Sequence, residues 1–108
     1  MSKFRTLNLA IEFHKKVERE KVRGHLRDQL LRSSSSIALN LSEGNARPYV
    51  KEKRRFYQTA FASLKECQTA LQLTGSTNVE LAQAADRLGA RIYRLMNSKL
   101  KAFQNTEF

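Results

Sequence analysis

The residues in this sequence best suited to chemistry are cations. Arg47, Lys51, Lys53, Arg54 and Arg55 crowd the start of an expected helix, where the dipole and the unpaired backbone amides favour negative charge. Only Glu52 answers that preference. A phosphate would be held by both the amides and these side chains, so the cluster reads as a nucleic-acid contact. Tyr49, Phe56 and Tyr57 offer rings nearby on which an unpaired base could stack; the alternative is that Phe56 and Tyr57 belong to the core and the charges form a solvated face. A second set, Arg87, Arg91 and Arg94, is spaced by four and then three residues, which puts all three on one helix face. That stripe fits a phosphate backbone, or acidic groups such as Glu12, Glu18 or Glu66 of another subunit.

Catalytic chemistry is poorly supplied. The patterns G-x-x-x-x-G-K-[ST], G-x-S-x-G and H-E-x-x-H are absent, and the 10 acidic residues are scattered. Ser33 to Ser36 offer hydroxyls, but nothing in the sequence sets a base beside them. His14 lies on an apolar arc and reads as a packed or boundary side chain. Glu43, beside Asn40 and Gly44, is expected to accept helix N-terminal amides or an arginine such as Arg47, a structural role. Cys67 is the single cysteine, so neither an internal disulfide nor a cysteine metal cluster can form. No enzyme activity, cofactor or metal is expected.

The elements that must position these residues are helices. The 108 residues include one Pro and four Gly, and no alternating strand pattern competes. Apolar periodicity predicts helices over about 5–19, 24–43, 50–74 and 78–103, a single all-α domain built as an up-and-down antiparallel four-helix bundle. The second helix is central. Leu26, Leu30, Ser33, Ile37 and Leu41 make one stripe, while Leu31, Ser35, Ala38, Leu39 and Ser42 make the opposite side nearly as uncharged. A helix apolar or small all round is buried all round, so its second face is expected to meet another subunit; the four serines read alternatively as a flexible linker.

Gly44 is expected to end the second helix in a left-handed conformation, and Pro48 to hold Arg47 out of helical geometry. In the third helix Phe56, Ala60, Ser63, Cys67 and Leu71 form the core stripe, with Tyr57, Phe61 and Leu64 beside it. Gly75 closes that helix, and Ser76 or Thr77 caps the next, Thr77 and Glu80 having capping-box spacing. Lys101 would extend the arginine stripe, and Gln104 to Phe108 carry no pattern and read as loose.

Lys plus Arg number 20 against 10 for Asp plus Glu, a formal charge of +10, which predicts a polyanionic partner, nucleic acid before anionic membrane. No apolar run is long enough for a signal peptide core or a membrane span, so a cytoplasmic protein is expected.

The run Ser36-Ile37-x-x-Asn40-Leu41-Ser42-Glu43-Gly44, followed by Arg47, Phe56, Ala60 and Ser63-Leu64-x-Glu66, resembles the S-I-x-x-N-I-A-E-G … R … A-x-G-S-x-x-E pattern of the four-helix-bundle proteins encoded in intervening sequences of bacterial 23S ribosomal RNA genes. Ser42 stands where alanine is usual and Ala62 where glycine is usual. The resemblance implies a ring-like homopentamer. That family is also similar to the accessory variability protein of diversity-generating retroelements, which binds nucleic acid and works with a reverse transcriptase. The expectation is a non-catalytic oligomer that binds RNA more readily than DNA through phosphates. The alternative is an adaptor for an acidic protein such as a polymerase or reverse transcriptase.

Overall fold

Four helices, α1 (Lys3–Glu18), α2 (His25–Ala46), α3 (Val50–Thr74) and α4 (Val79–Arg94), form the fold in the computed structural model, which describes residues 3–99. A π-helical turn, Leu95–Lys99, continues α4 and packs on α3. The four predicted helices are therefore present. The predicted end of the fourth at residue 103, Lys101 and Gln104–Phe108 lie outside the described residues. No described residue belongs to a strand. Each helix packs on its neighbours in sequence, and α1 also meets α4, so a four-helix bundle closes around one core. Phe13, Leu30, Ile37, Leu41, Tyr57, Leu64, Leu88 and Ile92 fill it, each almost wholly withdrawn from water. Burial of one such side chain contributes about 1.5–3 kcal/mol before entropy is counted.

The serine run is helical throughout, which excludes the linker alternative. Its hydroxyls project in turn towards different neighbours. Ser33 Oγ lies 2.9 Å from Cys67 Sγ on α3, Ser34 Oγ 2.6 Å from His14 Nδ1 on α1, and Ser36 Oγ 2.9 Å from Ser63 Oγ on α3. Ser35 faces outwards and bonds the carbonyl of Arg32. Small residues let three helices approach closely here, and the polar atoms that this brings indoors pair with one another. The second, outward face of α2 is open in the single chain, with Leu39 65% exposed.

Helix ends follow local chemistry, with two corrections. Gly75 closes α3 in the left-handed region (φ 73°), and the Ser76 amide donates to the Leu71 carbonyl. Gly44 does not end α2: the helix runs on to Ala46, and it stops because Arg47, preceding Pro48, is extended (φ −78°, ψ 139°). Gly44 is instead buried at the α2–α3 contact. Neither Ser76 nor Thr77 caps α4; Asn78 does, its Oδ1 accepting from the Leu81 amide at 3.0 Å. The helix starts one residue later than the Thr77–Glu80 spacing requires. In α3 the stripe is rotated from expectation. Tyr57 and Leu64 are at its centre, while Phe56 and Ser63 lie half-buried at the seam with α2, because Arg47 covers the Phe56 ring and Ser36 meets Ser63.

The core also carries a pH dependence. Burial pushes the Cys67 thiol from 9.0 to about 11 and the Tyr57 hydroxyl from 10.0 to about 12. Both groups stay neutral in the fold while the unfolded chain ionises, so their contribution is intact below pH 9 and is lost as pH rises through 9–12. The urea midpoint is expected to fall between pH 8 and pH 10.5, and Cys67→Ala to lose part of that fall. A midpoint independent of pH over this range would show that the thiol is not shielded.

Candidate nucleic-acid interface

Two of the predicted cations hold the turn between α2 and α3. The last carbonyls of α2 carry the negative end of its dipole, and its own last turn has no basic residue. Lys53 supplies one from α3, its Nζ 3.3 Å from both the Gly44 and Asn45 carbonyls, and Lys3 Nζ reaches the Asn45 carbonyl at 3.3 Å from α1. Asn45 is the hub, since its Oδ1 also accepts from the Tyr57 hydroxyl at 2.6 Å. Arg47 pairs with Glu43 at 2.8 Å and lies 4.8 Å over the Phe56 ring. The arginine partner expected for Glu43 is thus Arg47. Asn40 donates to the Ser36 carbonyl and hydroxyl, one turn back.

The other six predicted residues lie along α3 and α4. Lys51, Arg54 and Arg55 line an open stretch of the α3 surface with Glu52 and Gln58. The Nε of Arg54 is buried without a hydrogen-bond partner among the described residues. Among those residues, no hydrogen bond or ion pair engages the side chains of Lys51, Arg55, Arg87, Arg91 or Arg94. Arg87 borders α1 near Glu12 and Lys16. Arg94 borders α3 instead, in a recess shared with Phe61 and Lys65. Of the three rings proposed for stacking, Tyr57 is 2% exposed and Phe56 is covered by Arg47, whereas Tyr49 is open to solvent.

The structure adds residues that the spacing did not reveal. Phe61 on α3 and Tyr93 on α4 have ring centroids 6.2 Å apart, and the Lys65 ammonium lies 5.1 Å from the Phe61 centroid. Nothing in the sequence sets Tyr93 opposite Phe61 and Lys65. The structure also brings His14 to Ser34, with Glu18 Oε2 3.8 Å from the far ring nitrogen. That order of groups resembles a hydrolytic triad, but Ser34 is fully buried and the contact ties α1 to α2. A recess of about 790 Å³ lies at the α1–α2 and α3–α4 turns, where Arg19, Lys21 and Arg23 are mixed with Glu20. It holds none of the predicted cations.

The fold and this surface define a class: a four-helix bundle with a net positive charge and, among the described residues, cations on α3 and α4 that form no ion pair. Within it, the chain belongs to the 23S rRNA-intervening sequence protein family, whose model matches residues 3–98. No curated protein and no solved structure matches the chain. Among the described residues no helix is long and apolar enough to cross a membrane.

Proposed function

We propose that this protein is a cytoplasmic, non-catalytic nucleic-acid-binding homo-oligomer of up-and-down antiparallel bundles, and that RNA is its preferred ligand. The unpaired state of Lys51, Arg55 and Arg94 carries the reading: cations without carboxylate partners among the described residues are available to phosphates. Assembly as a homopentamer, like a kinship with the accessory proteins of diversity-generating retroelements, rests on the family pattern. The exposed Leu39 on the uncharged face of α2 supports assembly in general. Phosphate contacts give strong salt dependence and little sequence preference.

The test is binding of labelled structured RNA and duplex DNA across a salt series, with particle mass from light scattering on the same samples. Tight binding that weakens steeply with salt, on particles several subunits in mass, is the expected result. Absence of binding at low salt overturns the reading. Capture of an acidic protein partner that survives nuclease would then assign the cations to an adaptor role.

A further inference from the structure

The recess between α3 and α4 has a form that phosphate binding alone does not require. It is an open recess of about 320 Å³ whose lining includes the small residues Ala85, Gly89 and Ala90. Gly89 keeps the two helices close, since a Cβ there would come within 3.1 Å of Leu64 Cδ2. The Phe61 and Tyr93 rings form its aromatic wall, tilted at 52°, and Tyr93 is 57% exposed. Lys65 and Arg94 stand at its rim. One carboxylate, Asp86, also lines it and accepts from Gln68 Nε2 at 3.1 Å; among the described residues it forms no ion pair with Lys65 or Arg94, so two cations stand against one acidic group. The α3 face that carries Phe61 and Lys65 runs on at helical spacing, through Gln58, to Arg54 and Lys51 on the open surface at the start of the helix.

The geometry points to an unpaired nucleobase as the occupant, stacked on Tyr93 against Phe61, with the flanking phosphates of a single strand on Lys65, Arg94 and the start of α3. This rests on the nucleic-acid reading and deepens it. A ring with one face in water, set among cations, suits a base whose π-face is free and whose backbone is anionic. A duplex offers the charge but keeps its bases stacked on each other, so it can use the cations and not the rings.

The experiment is fluorescence anisotropy with labelled oligoadenylate and with the duplex it forms with oligouridylate, at matched salt. The single strand is expected to bind more tightly than the duplex. Tyr93→Ala should weaken the single strand about tenfold and leave duplex affinity and melting temperature unchanged, while Tyr93→Phe should retain binding. Equal affinity for both forms, or indifference of the single strand to Tyr93→Ala, overturns the proposal while leaving phosphate binding intact. A change of particle mass on substitution also overturns it, by making the recess a subunit contact. Failure of the unmodified protein to bind either nucleic acid removes the broader reading itself.

Discussion

Alanine at Gly44 is expected to destabilise the fold by about 1–2 kcal/mol, although the same change in an exposed helix would stabilise it by roughly 0.5–1 kcal/mol. An added Cβ would lie 2.7 Å from Tyr57 Cε1, 2.9 Å from Tyr57 Cδ1 and 3.2 Å from Phe56 Cβ. The Tyr57 ring has nowhere to go: it is buried, and its hydroxyl is held by Asn45. The helices must therefore separate, and the turn that Asn45, Lys53 and Lys3 secure is disturbed with them. In a domain of this size the melting temperature should fall by about 4–12 °C. A double-mutant cycle with Tyr57→Leu should recover part of the loss, because the clash is with that ring. A rise in melting temperature for the single variant would show that α2 and α3 do not need a glycine at their contact.

Replacing Lys51, Arg54 and Arg55 together by alanine is expected to weaken nucleic-acid binding by about a hundredfold at low salt and to lower the salt slope by about 2–3, one for each lost phosphate contact. The melting temperature should change little, because Lys51 and Arg55 are exposed and no ion pair engages them among the described residues. Arg47 and Lys53 are the contrasting pair. Their substitution should lower stability before it lowers affinity, since one is bound to Glu43 over Phe56 and the other to the end of α2. Affinity and slope unchanged in the triple variant would remove the start of α3 from the interface and leave Arg87, Arg91 and Arg94 as the candidates.

The two expectations separate cations by what opposes them. Lys53 and Lys3 face carbonyls at a helix C-terminus, where positive charge is favourable. Lys51, Arg54 and Arg55 sit near a helix N-terminus, where it is not, and Glu52 in that first turn forms no ion pair with them among the described residues. Exposed ion pairs add little to stability, so the unpaired charges cost the fold little and remain free for a ligand.

The sequence by itself determined the helices, because apolar periodicity and the positions of Pro48 and Gly75 are local features that no tertiary contact had to supply. It also determined the excess of positive charge, and it offered Arg47 as one of two partners for Glu43, the one the structure selects. Tertiary structure alone decided what each cation opposes. Lys53 and Arg54 are adjacent in sequence and equal in charge, yet one closes the end of α2 and the other does not, since the path of α2 sets which carbonyls lie within reach. The role of Gly44 was likewise illegible: a glycine near a helix end looks the same whether it supplies a left-handed turn or room for a neighbouring ring, and only the position of Tyr57 distinguishes them. The meeting of His14 with Ser34 and of Phe61 with Tyr93 depends on how two successive helices are rotated and set side by side, which periodicity within a single helix does not specify.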